Sequence, residues 1–380
     1  MTDYAIVKNG STYYVVRDNT SFTASWTYSG SDSFIVYDWT ANAAVASWTG
    51  TDAGPTVASF STANNGNFGV FDATAQGQVA AWAGTDSGQP WPVPPPAGQL
   101  FKPTSAAQLQ AAWQAAIAAG YILHLDPTTA ITDSTPIVVP GVDFGQQPRG
   151  LNGNGASFNY TGTGAAVTLQ PGPSNNNRGM ALTNFHIQGN NTAGTTGLYF
   201  AVDSPVAFYK FTGRDIYVDG FGVGIRVEGN FFESLLDNMQ VENCSGDGIQ
   251  VADGPANTIA GIISNVTLLT PNLSRNGGYG LHLSTAKSVD VRGGSFINDV
   301  KGGIFAEQGE RTIDGPNFEN CGTAAITLSA AADAGCTVVN CSGSNTATFP
   351  GGPMTKLINY TGAAGGLYQA GNQMYAGTVT

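Results

Sequence analysis

Val241-Glu242-Asn243-Cys244-Ser245-Gly246-Asp247-Gly248-Ile249-Gln250-Val251 reads as two short strands joined by a corner. An apolar residue, a polar one and an asparagine lead into a small turn, and Gly-apolar-polar-apolar follows. The cycle returns as Leu273-Ser274-Arg275-Asn276 before Gly280-Leu281-His282-Leu283, and as Phe296-Ile297-Asn298-Asp299 before Gly303-Ile304-Phe305. It returns again as Phe318-Glu319-Asn320-Cys321 before Ala325-Ile326-Thr327-Leu328. In each copy the first apolar residue precedes the second by eight positions. The second-strand anchors Val167, Leu198, Ile225, Ile249, Leu281, Ile304 and Ile326 lie 31, 27, 24, 32, 23 and 22 residues apart. That is a solenoid-scale period with loop insertions in the longer coils. Within each strand the alternation sends one set of side chains to the core and the other to solvent. The cycle predicts an all-β chain built on a right-handed parallel β-helix over 101–345, whose stacked positions form columns.

Composition agrees with a turn-rich β structure. Only 11% of the 380 residues are charged while 51 are glycine, and 42% are apolar, enough for a sizeable core. The formal net charge of −12 and the 14 scattered basic residues argue against nucleic acid as a partner. No apolar run is long enough to cross a membrane, so no membrane insertion is expected. Met1-Thr2-Asp3-Tyr4 lacks a charged-then-apolar leader, which predicts a chain that is not Sec-exported. Cys244, Cys321 and Cys341 each follow Asn at one phase of the repeat and read, with Cys336, as inward-facing thiols. A local Cys336–Cys341 disulfide is open, and neither a metal site nor a cofactor is expected.

Residues 1–88 read as a separate small antiparallel β module. Asn9-Gly10 between Tyr4-Ala5-Ile6-Val7 and Tyr13-Tyr14-Val15-Val16 is a strong hairpin signal. Phe34-Ile35-Val36-Tyr37-Asp38 and Trp48-Thr49-Gly50-Thr51-Asp52 recur 34 residues later as Phe68-Gly69-Val70-Phe71-Asp72 and Trp82-Ala83-Gly84-Thr85-Asp86. Trp26, Trp39, Trp48 and Trp82 are either core anchors or a sugar-stacking face. The proline-rich stretch 89–100 reads as a semi-rigid linker. Ser105-x-x-Gln108, Leu109, Trp113, Ile117 and Gly120 then predict one helix over 106–119, placed to cover the open end of the solenoid. Residues 346–380 are expected to form a cap or an oligomer contact.

The helix, followed by Tyr121-Ile122-Leu123-His124-Leu125-Asp126-Pro127, Pro136-Ile137-Val138-Val139-Pro140-Gly141-Val142 and Leu151-Asn152-Gly153-Asn154-Gly155, resembles the entry of the pectate-lyase-like β-helix superfamily. The resemblance covers about 101–360. It implies the fold, and with it the phage tailspikes and other virion spikes that share the fold. Such spikes are usually homotrimers, which implies a homotrimer here, with residues 1–88 attaching to other virion proteins. The calcium-binding Asp cluster and catalytic Arg pattern of pectate lyases do not stand in this sequence. The superfamily hosts lyases, hydrolases, epimerases and pure binders, so the reaction has to be argued from the site.

With Ile187, Val218 and Val241 as equivalent core positions, one outward column reads His186, Tyr217, Gln240 and the other Gln188, Asp219, Glu242. Coils stack about 4.8 Å apart, so Asp219 and Glu242 are expected side by side. Like charges that close predict one raised pKa, hence one acid and one base for glycosidic cleavage. His186 and Tyr217 would shuttle protons, and Gln188 and Gln240 would orient sugar hydroxyls. A second column, Tyr199, Arg226, Gln250 and His282, with Glu228 beyond Arg226, suggests a glycan-binding groove. Three functions stay open: a virion spike that binds bacterial surface polysaccharide and depolymerises it, a free polysaccharide lyase or glycoside hydrolase, and a non-catalytic adhesin.

Overall fold

The structure is a computed structural model. It describes residues 2–9, 12–17, 21–27, 31–38, 43–51, 56–62, 67–72, 77–83, 89–90, 100–139, 149–171, 179–201, 207–252, 263–284, 288–307, 310–322, 324–328, 336–343, 347–350, 356–358, 364–370 and 373–376. For Trp26, Trp82 and the described residues after 346 the backbone alone is described. The chain divides into two compact units, Met1–Thr104 and Ser105–Thr380.

In the first unit, strands Thr2–Asn9 and Thr12–Arg17 pair antiparallel with Asn9 opposite Thr12, as the Asn-Gly signal requires. They sit in a five-stranded antiparallel sheet with Ser21–Thr27, Thr56–Thr62 and Gln89–Pro90. Gln89–Pro90 pairs with Ser21 and Phe22, so the linker expected over 89–100 begins inside this sheet. The 34-residue repeat is a pair of matching hairpins in a four-stranded sheet. Phe34 lies opposite Trp48 and Phe68 opposite Trp82, and the pairing slips at equivalent places, Val36/Tyr37 and Val70/Phe71. Residues of both sheets, among them Tyr4, Ile6, Tyr13, Val15, Phe34, Trp48 and Phe68, share one core. Trp48 is a core anchor stacked on Phe34 at 5.2 Å. Trp39 lies outside the described residues.

The second unit is a three-faced parallel solenoid. The first face stacks strands from Ile122–Leu125 to Lys356–Ile358, and the second from Ala130–Asp133 to Ser342–Gly343. The third face runs from Ile137–Val139 to Ala364–Ala370. Parallel stacking therefore continues beyond residue 345, and a closing antiparallel pair, Ala364–Ala370 with Gln373–Ala376, follows in place of the irregular cap expected there. The interior is a pile of like residues. Phe158, Ile187, Val218, Val241, Leu273, Phe296 and Phe318 succeed one another under the second face, each essentially buried. Each such side chain contributes about 1.5–3 kcal/mol by leaving water.

The corners explain the asparagines. Asn243, Arg275, Asn298 and Asn320 end successive second-face strands with φ of 55°, 57°, 58° and 52°. Asparagine tolerates this left-handed conformation better than other side chains, because its short amide bonds locally. Asn238 and Asn340 play the same part where the first face meets the second. The residue after each corner turns inward. Cys244 and Cys321 therefore line the second-to-third corner, whereas Cys341 lines the first-to-second corner, so these cysteines do not share one phase. All four thiols are buried and unbridged.

Helix Ala106–Ala119 starts on the Ser105 cap, whose side chain accepts from Gln108 N, and stops at Gly120 with φ 91°. Leu109, Trp113 and Ile117 are fully buried. Its polar side chains close the first coil: Gln110 Oε1 accepts from Val138 N at 2.7 Å, and Gln114 Nε2 donates to Val138 O at 2.9 Å. The outermost strand thus has side-chain partners for backbone groups that would otherwise template another chain. Among the described residues, no helix is long and apolar enough to cross a membrane.

Candidate functional site

The strand Met180–Gln188 pairs with Thr212–Asp219, which in turn pairs with Gln240–Glu242. His186 lies opposite Tyr217 and Tyr217 opposite Gln240; Gln188 lies opposite Asp219 and Asp219 opposite Glu242. Both columns occupy neighbouring coils of the second face, in the register expected. The seven-residue spacing before Ile225 is absorbed in the corner, where Gly220 with φ 74° replaces the asparagine.

The electrostatics differ from a simple carboxylate pair. Glu242 is only 8% exposed. Its Oε1 accepts from Tyr217 Oη, and its Oε2 accepts from Arg275 Nη2 and, at 3.4 Å, from Ser274 Oγ. Burial by itself would raise its pKa, yet the phenol and the guanidinium outweigh burial and hold the carboxyl below its ordinary value. The expected acid made by mutual repulsion is therefore not Glu242, which is held as the anion. Asp219 is turned toward the corner, where Asn243 Nδ2 donates to its Oδ1 at 2.8 Å.

His186 packs on Tyr217 with ring centroids 4.2 Å apart. Its Nε2 is buried and has no hydrogen-bond partner. Burial lowers the His186 pKa, and the charges of Asp219 and Glu242 only partly oppose this, so the ring is neutral near pH 7. The Tyr217 pKa is raised, by burial first and then by its bond to Glu242, so it stays a proton donor. Gln188 and Gln240 are exposed at the margins of the patch.

The third-face column is also in register: Tyr199 opposite Arg226, Arg226 opposite Gln250, Gln250 opposite His282. Tyr199 Oη donates to Glu228 Oε2, Arg226 forms an ion pair with Glu228, and its guanidinium lies 6.0 Å from the centre of the Tyr199 ring. Arg226 borders a cleft of about 300 Å³ lined by Gly194, Thr195, Gly222, Val223 and Gly246. At the far end His282 is held between two carboxylates, Asp247 at 2.8 Å and Glu307 at 3.1 Å.

Arg275, Asp247 and Glu307 complete these clusters and were missed by column reading. Arg275 occupies the corner position filled by Asn in the coils on either side, and that break in the column was its signal. Asp247 stands immediately before Gly248 in a turn, outside either strand, and Glu307 follows the last residue of Gly302–Ala306.

The fold and its columns define a right-handed parallel β-helix with polar walls. A family model described as a right-handed β-helix region matches residues 174–343. Similar solved structures include the enzymatically active domain of tailspike protein 2 from bacteriophage CBA120 (15% identity, TM-score 0.46, covering 80% of this chain and 48% of that one). The full-length tailspike protein 2 of the Escherichia coli O157:H7 phage matches at 16% identity and TM-score 0.46, over 80% of this chain and 43% of that one. The catalytic domain of a GH87 α-1,3-glucanase, in complex with tetrasaccharides, matches at 10% identity and TM-score 0.37, over 96% and 85%. The chain spans less than half the length of the tailspike chains. No curated protein sequence matches it.

Proposed function

We propose that this chain is a virion-spike β-helix that binds bacterial surface polysaccharide along the second face and cleaves it there. The observation that carries the reading is Glu242, a carboxylate kept ionised by Tyr217 and Arg275 on neighbouring coils, with Asp219 next to it in the same column. Coils stack about 4.8 Å apart, so the two backbone positions lie at about the short separation that retaining glycosidases use. Glu242 is the nucleophile. Its oxygen bonds to the anomeric carbon as the glycosidic C–O bond breaks, and Asp219 gives its proton to the leaving oxygen. Water then splits the ester, returning a proton to Asp219. Tyr217 keeps its hydrogen bond to Glu242 throughout, His186 fixes the Tyr217 ring, and Gln188 and Gln240 bind hydroxyls on either side.

The spike assembles as a homotrimer, and residues 1–88 join it to other virion proteins. The column geometry suits a long, weakly charged polymer, since amide and hydroxyl side chains repeat along the wall every coil. A second reading, an adhesin that holds the polymer uncut, is favoured by one observation: both Glu242 oxygens already have partners within the chain.

The test is incubation with purified bacterial capsular and O-antigen polysaccharides, reading chain length and new reducing ends. Cleavage that Glu242→Gln abolishes supports the hydrolase. Unsaturated ends in the products would replace it by a lyase, and retention of intact polymer would establish the adhesin.

A further inference from the structure

Beyond the second-face cluster lies an aromatic patch with its own polar frame. Tyr279 and Phe305 stack at 4.8 Å and 25°, and His282 packs against both, at 5.6 Å and 5.1 Å. All three rings are partly exposed on the third face. They come from consecutive coils, with His282 opposite Phe305 and Tyr279 opposite Gly302. The glycine at 302 leaves the flank of Tyr279 clear of a side chain, since a Cβ there would stand 3.3 Å from the Tyr279 ring.

The frame is rigid. Asp247, 8% exposed, accepts from Tyr279 N at 2.8 Å through Oδ1 and holds His282 Nδ1 at 2.8 Å through Oδ2. Glu307 Oε1 holds His282 Nε2 at 3.1 Å. Lys301 Nζ lies 5.8 Å from the Tyr279 ring centre. Burial would lower the His282 pKa, but the two carboxylates raise it. Two acidic side chains are thus set against two basic ones, His282 and Lys301, and the patch carries both signs in equal number. Partly exposed rings framed by balanced donors and acceptors fit the apolar face and hydroxyl edge of a pyranose.

We infer that Tyr279, His282 and Phe305 form a second saccharide-binding site, which takes a neutral hexose or N-acetylhexosamine unit, with Asp247 and Glu307 fixing the His282 ring and the partly exposed Glu307 meeting the sugar hydroxyls. The inference rests on the polysaccharide reading above. It adds a holding site on a different face, two coils beyond the Arg226 cleft, that anchors the polymer without touching the cleavage point. A ring lost from such a platform weakens binding roughly tenfold.

The chain has 3 histidines. His186 reports on the second face and His282 on the third, so ¹³C-labelled histidine gives one resonance for each site. We would titrate the full chain carrying Glu242→Gln, which cannot cut, with the same capsular and O-antigen polysaccharides. The expected result is movement of both resonances with one polysaccharide, with Phe305→Leu removing the His282 response and leaving that of His186. Movement of His186 alone would overturn the second site and leave the proposed function standing. Movement of His282 alone would support the site and sink the second-face assignment, and silence of both with every polysaccharide would overturn both. Should Phe305→Leu fail to fold, Tyr279→Leu makes the same comparison.

Discussion

Arg275 stands one coil beyond Glu242 and closes on its Oε2, while Tyr217, one coil before, donates to Oε1. Three successive coils therefore decide the charge of one carboxylate. Replacing Arg275 by Met removes the guanidinium that offsets burial, so the Glu242 pKa rises. The acid limb of the pH–rate profile should move to higher pH, with the rate on that limb falling while the rate above it changes little. Because the Arg275 side chain is 57% exposed, the stability loss should stay below about 1 kcal/mol. A profile unchanged in position would disconnect Arg275 from the chemistry.

Tyr217→Phe keeps the ring against His186 and deletes the phenol. Stability should drop by about 1 kcal/mol, the worth of one partly buried hydrogen bond. Polysaccharide cleavage should fall far more, by roughly 100-fold in kcat with KM little changed. Equal losses in binding and turnover would make Tyr217 a contact for substrate instead.

Asp299 gives the solenoid a pH-dependent stability. It is fully buried at a corner, bonded through Oδ1 to Asn276 N and Nδ2, and burial pushes its pKa up to about 7 against those bonds. The folded pKa exceeds the unfolded one, so the contribution is full below about pH 4 and is lost as pH rises through 7. Asp299→Asn should flatten that loss and raise the thermal midpoint at pH 8 by several degrees. Parallel melting curves for the two proteins from pH 4 to 8 would show no such loss.

Gly278 makes room for Asp247. A Cβ there would come 2.1 Å from Asp247 Oδ1. Gly278→Ala should therefore displace the carboxylate that seats His282 and cost about 1–3 kcal/mol. Chemical denaturation measures the cost, and the His282 resonance should move toward that of a less basic imidazole.

The cap offers a test of edge protection. Gln110→Leu with Gln114→Leu keeps the helix but withdraws both partners of Val138. The double variant should lose about 1–3 kcal/mol and associate at high concentration, seen by light scattering.

The coil repeat, the helix ends and the register of His186, Tyr217, Asp219 and Glu242 were legible because each depends on near-neighbour spacing and alternation. What escaped was side-chain direction at corners. Arg275 sits where Asn243 and Asn298 sit, but its longer side chain turns back across the preceding coil to Glu242, so a column of outward strand residues omits it. Asp247 was invisible for the opposite reason: it lies in a turn, and only the absent Cβ of Gly278 allows it to reach His282. The charge state of Glu242 followed the first omission, since repulsion from Asp219 was weighed without the cation that outweighs it. The thiols erred likewise, for Asn340-Cys341 looks like Asn243-Cys244 locally and differs only in which corner it turns.

A wall assembled from identical layers can be addressed by two coordinates, face and coil. Substitutions on one face two coils apart stand about 10 Å from each other, far enough for their effects to add, whereas those on touching coils share partners and couple. Changes at Gln188 and Ser295, which lie several coils apart and share no partner, should thus combine as independent quantities, while Tyr217 with Glu242 cannot. Glycan preference could be retuned one layer at a time, with coupling confined to touching coils and to the corner side chains that reach across them.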